Sequence, residues 1–125
     1  MLRLAALTLL PALLCAGCNP EVPLEKRLRQ VPDADPERGR TLMTHYQCGT
    51  CHAAPGVPSA PAPVAPSLEG FGRRSYIAGR VPNGPSTLQR WLQDPPALVP
   101  GTTMPKLGVT AVDARDIAGY LLALE

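Results

Sequence analysis

Apolar positions follow a helical period near the end of this chain. Thr110 is a capping residue, and Asp113 places an acid in the first turn of the helix that begins there. Four apolar residues then lie at the i, i+3, i+4 and i+7 positions of one helix face: Ile117, Tyr120, Leu121 and Leu124. The pattern predicts a C-terminal helix with one buried side.

A second helix is predicted to begin at Pro36. Asp35 is a favourable N-cap, proline suits the first helical position, and Glu37 complements the helix dipole. We expect this helix to run to about Tyr46. Gly39 inside it costs about 1 kcal/mol relative to alanine, so its presence indicates that another element approaches closely there.

The middle of the chain predicts one further short helix between long loops. Ser86 and Thr87 can cap a helix from Leu88 to about Gln93, which Asp94-Pro95-Pro96 ends. The proline-rich stretch Ala53 to Pro66 excludes helix and central strand, and we expect an ordered front section and a mobile middle. Without any strand pattern, the prediction is an all-α fold of short helices and long loops.

The N-terminus has the pattern of an export signal. Arg3 precedes an apolar run, Leu4 to Leu14, that is shorter than the roughly 20 residues of a membrane span. Cys15-Ala16-Gly17-Cys18 resembles a bacterial lipobox, in which Cys18 receives the lipid. The alternative is an ordinary signal peptide cut near Ala16. The predicted division is a lipoprotein-type signal peptide over 1–17, a polar tether over 18–33 and one domain over 34–125.

Composition limits what this domain can be. The chain has 125 residues and a net charge of +2, which argues against a nucleic-acid binder with its concentrated basic patch. Only one Trp, one Phe and three Tyr are present, beside 16 prolines. So few aromatic residues give a small core, and we expect a cofactor to complete it.

The motif Cys48-Gly49-Thr50-Cys51-His52 is the strongest chemical signal in the chain. C-x-x-C-H is the attachment signature of c-type haem, in which two thiols form thioethers with the ring and the histidine binds iron. The motif predicts one covalent haem c through Cys48 and Cys51. A thioredoxin-like redox pair, a structural zinc site and a disulfide between the two cysteines are weaker alternatives, because no sheet and no further Cys or His pair accompanies the motif.

Met104 is the candidate for the second axial ligand. It lies in the segment Pro100-Gly101-Thr102-Thr103-Met104-Pro105, where two prolines restrict the backbone. A neutral thioether opposite His52 raises the reduction potential of a haem iron. His45, three residues before Cys48, is the competitor and is poorly placed to reach the far side of the ring.

From about Pro36 to Leu124 the chain resembles class I cytochrome c, in the form of a bacterial membrane-anchored lipoprotein. The order of the motifs carries the resemblance: a helix with glycine, C-x-x-C-H, Pro66-Ser67-Leu68, a middle helix with Trp91, the Met104 loop and a last helix. The resemblance implies that Pro66 accepts a hydrogen bond from His52 and that Trp91 packs near Met104. It also implies that Tyr120 lies flat on Gly39 where the first and last helices cross.

Two further cofactor contacts follow from the resemblance. Arg74, or its neighbour Arg73, stands where the family often binds a haem propionate, and Tyr76 is nearby. The lysine ring of mitochondrial cytochrome c is absent, so its mode of partner docking does not transfer. The proline-rich insert after His52 is also longer than in that protein.

The function expected from these features is single-electron transfer and not enzymatic catalysis. The donor would be a quinol-oxidising complex or a periplasmic dehydrogenase, and the acceptor a terminal oxidase. We expect a lipid-anchored protein on the periplasmic side of a bacterial membrane, with no nucleic acid and no small-molecule substrate as partner. Two alternatives remain: a fixed haem subunit of a larger oxidoreductase, and a haem peroxidase or gas sensor with an open iron site.

Overall fold

A computed structural model describes residues 22–125. The expected signal peptide and the lipid site at Cys18 lie outside these residues. Within them the helices and strands follow in the order α1 (Leu24–Leu28), α2 (Pro36–His45), β1 (Tyr76–Ile77), β2 (Val81–Pro82), α3 (Pro85–Gln93), α4 (Pro95–Leu98) and α5 (Ala111–Leu122). Two 3₁₀ turns, Cys48–Thr50 and Phe71–Arg73, lie between α2 and β1. None of the helices within residues 22–125 has the length and apolarity needed to span a bilayer.

The caps predicted for the first and last long helices are present. The carboxylate of Asp35 accepts a hydrogen bond from the backbone N–H of Arg38 at 3.0 Å, and Pro36 occupies the first turn of α2. At α5 the hydroxyl of Thr110 accepts from the N–H of Asp113 at 3.2 Å. Both helices therefore begin where the side chains satisfy N–H groups that lack helical partners.

The region of α3 and α4 differs from the prediction. Helix α3 begins at Pro85, two residues before the expected cap at Thr87, because proline suits the first turn and Gly84 precedes it in an extended conformation. Asp94 ends α3 as expected. Its side chain then accepts a hydrogen bond from the N–H of Ala97 at 3.3 Å, which starts the short helix α4.

The fold is mostly helical, but the all-α prediction was wrong in one place. Strands β1 and β2 pair in antiparallel fashion, with Ile77 opposite Val81. Ala78 and Gly79 both take positive φ values, 50° and 63°, in the turn between them. Strands of two residues are too short to give an alternating pattern, and Pro82 further obscured them.

Helix α5 lies at the centre of the domain and packs against both α2 and α3. Ala114, Ile117 and Ala118 on α5 have no exposed surface. The other buried apolar side chains come from every part of the domain and include Met43, Val57, Leu68, Phe71, Ile77, Leu88, Trp91, Leu92, Val109, Tyr120, Leu121 and Leu122. Ile117, Tyr120 and Leu121 of the predicted apolar face are thus part of the core, whereas α5 ends at Leu122 and Leu124 beyond it is half-buried.

Gly39 is the point of closest approach between α2 and α5. A Cβ atom there would lie 2.0 Å from the carbonyl oxygen of Asp116 and 3.0 Å from the backbone nitrogen of Ile117. The predicted close approach is therefore present, but the neighbour is the backbone of α5 and not the ring of Tyr120. The Tyr120 hydroxyl instead donates to the carbonyl oxygen of Pro55 in the proline-rich loop.

A network of ion pairs surrounds this crossing. The Asp116 carboxylate is 1% exposed and accepts from Arg38 Nη1 at 2.5 Å and from Arg115 Nε at 2.8 Å. The backbone N–H of Asp35 also donates to it, at 3.2 Å. Arg38 continues to Asp113, which accepts a hydrogen bond from the Tyr46 hydroxyl at 2.7 Å. The only buried charged side chain among the described residues is therefore fully hydrogen-bonded.

These contacts favour the ionised form of Asp116. The hydrogen bond from Arg115 lowers the pKa of the Asp116 carboxyl to about 2. Burial opposes this shift, while Arg38 and the Asp35 N–H reinforce it. Because removing one member of a buried pair leaves an uncompensated charge, the network ties α2 to α5 more strongly than surface ion pairs would.

We expect Gly39→Ala to lower the free energy of unfolding by about 3 kcal/mol, because overpacking forces the two helix backbones apart. In an isolated helix the same change would be stabilising. Gly84→Ala is the matched control, since nothing lies within 4 Å of its Cβ position. Urea unfolding of the full chain measures both. A Gly39→Ala protein as stable as the control would contradict the close approach.

The Asp116 network predicts that the free energy of unfolding decreases at acid pH. Since the folded pKa of about 2 is below the ordinary 3.8, the contribution is fully present above about pH 4 and is lost as the pH falls towards 2. The expected loss is about 2 kcal/mol in urea unfolding between those limits. Asp116→Asn should be less stable at neutral pH and should lack this slope. Glu69→Gln, which removes an exposed carboxylate, should retain it, and an unchanged slope in Asp116→Asn would refute the assignment.

Candidate functional site

The two cysteines and His52 lie on a tight turn directly after α2. Gln47, two residues after the end of α2, has a left-handed conformation with φ of 57°, which is uncommon for a residue with a side chain. This conformation changes the direction of the chain between α2 and the turn. The carbonyl oxygen of Cys48 then accepts from the N–H groups of Cys51 at 3.2 Å and His52 at 2.9 Å. This geometry fixes the three side chains relative to one another through the backbone.

The proline-rich loop is hydrogen-bonded to this turn along its length. The N–H of Ala60 donates to Gly49 and the N–H of Ala65 donates to Cys51, both at 2.9 Å. A Cβ at Gly49 would lie 1.9 Å from the carbonyl oxygen of Pro58, so only glycine fits between the turn and the loop. As predicted, the stretch contains neither helix nor central strand; Ala54 and Val57 form an isolated bridge.

A cavity of about 580 Å³ opens beside the turn. Cys48, Cys51 and His52 form part of one wall, and Met104 belongs to the same lining. The other lining residues are mainly apolar and include Met43, Tyr46, Leu68, Phe71, Ile77, Leu88, Trp91, Leu92, Ile117 and Leu121. Arg74 is the only lysine, arginine, aspartate or glutamate among them, so the lining is weakly charged.

The imidazole of His52 is oriented by a hydrogen bond. Its Nδ1 lies 2.8 Å from the carbonyl oxygen of Pro66. Because a carbonyl can only accept, Nδ1 carries the proton and Nε2 keeps its lone pair for a ligand. This is the hydrogen bond that the resemblance implied. A fixed tautomer of this kind is typical of metal-binding histidines.

The half-buried side chain of Met104 lies in a constrained loop, as the sequence predicted. Gly101 takes a φ of 83°, and the N–H of Thr102 donates to Val99 at 3.1 Å. The N–H of Met104 is 3.3 Å from the Thr102 hydroxyl. Beyond it, Lys106 pairs with Asp94 at 2.7 Å and fastens the loop to the start of α4.

The thiols of Cys48 and Cys51 are both free. Burial raises the pKa of the Cys48 thiol above its ordinary value, so this thiol is a poor nucleophile at neutral pH. That weakens the thioredoxin-like alternative. No group of three or more His, Cys, Asp or Glu side chains within residues 22–125 is arranged to hold a metal ion.

The remaining predicted contacts divide into two groups. Trp91 is buried and lines the cavity. Arg74 also lines it and is partly exposed; its guanidinium donates to the carbonyl oxygen of Ser67 and lies 5.5 Å from the centre of the Phe71 ring. Tyr76 is 57% exposed and is not part of the lining, because its position in β1 turns it outward. His45 is exposed at the end of α2, away from the cavity.

Several lining residues were not predicted from the sequence. Gln47 and Ala78 both have positive φ values and both line the cavity, yet neither belongs to a residue type that favours this conformation. Phe71 lies in a 3₁₀ turn after Gly70, whose φ is 61°. An isolated glycine before an aromatic residue was the only signal for that turn.

Comparison with known proteins found three curated relatives, all named cytochrome c oxidase subunit 2. The chain is 32% identical to that of Alkalihalophilus pseudofirmus over 89 residues, which are 70% of this chain and 25% of the relative. It is 39% identical to that of Bacillus sp. strain PS3 over 76 residues, 59% of this chain and 21% of the relative. For Bacillus subtilis the identity is 33% over 84 residues, 62% of this chain and 24% of the relative. No family model matches the chain.

Two expectations from the sequence are corrected by these matches. The relatives are subunits of an oxidase, so the classification of the chain outside enzymes was wrong. The assignment of one covalent haem c is also contradicted, because it belonged to the interpretation as an independent c-type carrier and the relatives are named as oxidase subunits instead. The chain spans about a quarter of the length of the curated relatives it matches, and it is similar to that part of cytochrome c oxidase subunit 2.

Proposed function

We propose that this chain is a single-electron-transfer domain that serves a terminal oxidase. The observation that carries the proposal is the cavity that brings together the imidazole of His52, the thioether of Met104 and the thiols of Cys48 and Cys51. These are ligand types that suit redox-active transition metals, and they come from two separate segments of the chain. A metal-centred redox group held there would supply a reversible one-electron change.

The residues around the cavity suit such a group for two reasons. His52 has its tautomer fixed by Pro66, so Nε2 is ready to bind without reorientation. Met104 lies in a loop that the ion pair between Lys106 and Asp94 joins to α4, which limits how far its thioether would move. Ligands that move little between oxidation states favour fast electron exchange.

The mainly apolar lining supports electron transfer over substrate chemistry. Trp91, Leu88 and Ile117 are buried in the lining and make this part of the cavity apolar. An apolar, weakly charged environment is one of the ways in which a protein sets a reduction potential. Arg74 is the one cation placed to compensate negative charge on the redox group.

The similarity to oxidase subunits favours a domain that works with one oxidase over a carrier that diffuses among many partners. A fixed subunit of a larger oxidoreductase was one of the two alternatives left open by the sequence. Membrane attachment through Cys18, on the periplasmic side, would serve the same purpose by confining the domain near its partner. Cys18→Ser should then move the full chain from the membrane fraction to the soluble fraction when cells are fractionated without detergent.

We expect the purified full chain to hold one redox-active metal centre and to titrate with a single one-electron step. His52→Ala should lose most of the metal, because it removes the oriented nitrogen ligand. Met104→Ala should retain the centre but shift its potential by tens of millivolts or more, since the soft ligand is lost. Metal analysis and a redox titration with optical detection measure these effects.

Control variants are available on α2 and α3. His45→Ala removes an exposed histidine, and Arg90→Ala removes an exposed cation on α3; neither residue lines the cavity. Both variants should keep the metal content and potential of the unaltered chain. A chain without any redox-active metal would overturn the proposal. Mass spectrometry of the Cys48–His52 peptide tests the correction above, and we expect both thiols to be unmodified.

A further inference from the structure

Helix α1 presents its apolar side chains to solvent. Leu24 and Leu28, four residues apart and on one face, are 66% and 67% exposed. Val22, just before the helix, is 43% exposed. Three of the seven large apolar side chains that are exposed within residues 22–125 thus lie in one short segment.

The polar side of the same helix faces the domain. Lys26 Nζ lies 3.5 Å from a carboxylate oxygen of Glu125. Just after the helix, Arg29 donates to the carbonyl oxygens of Gly72 and Arg74. A groove separates α1 from the domain, and Glu25, Lys26 and Arg27 line it while Leu24 and Leu28 do not.

This orientation is the reverse of that of a helix packed on its own domain, which buries its apolar face and exposes its charges. The Arg29 hydrogen bonds fix the end of α1 to the domain, and the exposed pair between Lys26 and Glu125 lies on the same side. The leucines on the other side are left for another surface. We propose that α1 lies on a lipid surface, with Leu24 and Leu28 inserted at the boundary between headgroups and acyl chains.

The position of the helix in the chain favours lipid as the occupant. The 21 residues before Val22 include the apolar run Leu4 to Leu14 and the candidate lipid site Cys18. Val22 is four positions after Cys18, a reach of about 14 Å when fully extended, so an anchor at Cys18 would keep the helix at the membrane.

The side-chain chemistry of the segment also favours lipid over a protein groove. Its exposed apolar residues are aliphatic, whereas the anchor residues of protein interfaces are enriched in tryptophan, tyrosine and arginine. Lys26 and Arg27 accompany them as exposed basic residues against one acid, Glu25, while Arg29 is hydrogen-bonded to the domain. An excess of basic side chains next to an aliphatic face is complementary to anionic headgroups.

Two leucines on a five-residue helix are too few to bind a membrane alone, since even larger anchors need a second signal. The role we assign to α1 is therefore orientation. With Lys26 and Arg29 joined to the domain, insertion of the leucines would fix the tilt of the domain against the membrane. This inference does not depend on the redox site.

The experiment uses the full chain bound to vesicles of phosphatidylglycerol and phosphatidylcholine, with hydrogen exchange of the backbone amides read by mass spectrometry. Vesicles should slow exchange in the peptide covering residues 23–29 about tenfold, which corresponds to about 1.4 kcal/mol. The double variant Leu24→Ser/Leu28→Ser should lose this protection while remaining vesicle-bound. Leu107→Ser/Val112→Ser, which alters two exposed apolar residues elsewhere, should retain it.

Equal exchange in the wild type and the Leu24→Ser/Leu28→Ser variant on vesicles would overturn the proposal. So would protection that appears only when a terminal oxidase is added, which would assign the helix to a protein surface. Release of Cys18→Ser from vesicles tests the anchor separately. A redox titration of the leucine variant, expected to be unchanged, separates a failure of this proposal from a failure of the proposed function.

Discussion

Helices α2 and α5 meet backbone to backbone at Gly39, with the carbonyl oxygen of Asp116 in the space that a Cβ would fill. Both walls of the cavity depend on this contact. The turn that carries Cys48 begins three residues after α2 ends, and the loop that carries Met104 leads into α5. A change in the angle or distance at which the two helices cross would therefore change the distance between the proposed ligands, even with no substitution among the residues that line the cavity.

Asp116 reinforces the crossing with its side chain as well as its backbone. Its carboxylate holds Arg38 of α2, which also reaches Asp113, and Asp113 accepts from the hydroxyl of Tyr46. Tyr46 is itself part of the cavity lining. The hydrogen bond to Asp113 raises the pKa of the Tyr46 hydroxyl and lowers that of the carboxyl, so the network keeps one charge state across the neutral range. The ion pairs thus position a cavity wall as well as stabilising the fold.

Local signals predicted the long helices, and long-range contacts decided the rest. The caps at Asp35 and Thr110 act through hydrogen bonds three residues away, and the sequence pattern identified both. The hairpin, helix α4 and the outward position of Tyr76 depend on short segments whose conformations are set by neighbours distant in sequence. The spacing of Cys48 and His52 and the prolines around Met104 indicated the candidate site, but nothing in these motifs indicated the similarity to part of cytochrome c oxidase subunit 2.

Gly49 and Thr50, the two residues between the cysteines, differ in how readily they can be substituted. Gly49 is held against the carbonyl oxygen of Pro58, whereas Thr50 is exposed. Evolution or design can therefore alter the polarity of this turn at Thr50 without disturbing the backbone, but any side chain at the first position requires the proline-rich loop to be rebuilt. Variation in the length of that loop is likewise restricted to segments that leave Pro58, Ala60 and Ala65 in register with the turn. The loop, despite its low-complexity composition, sets the limits within which this site can diversify.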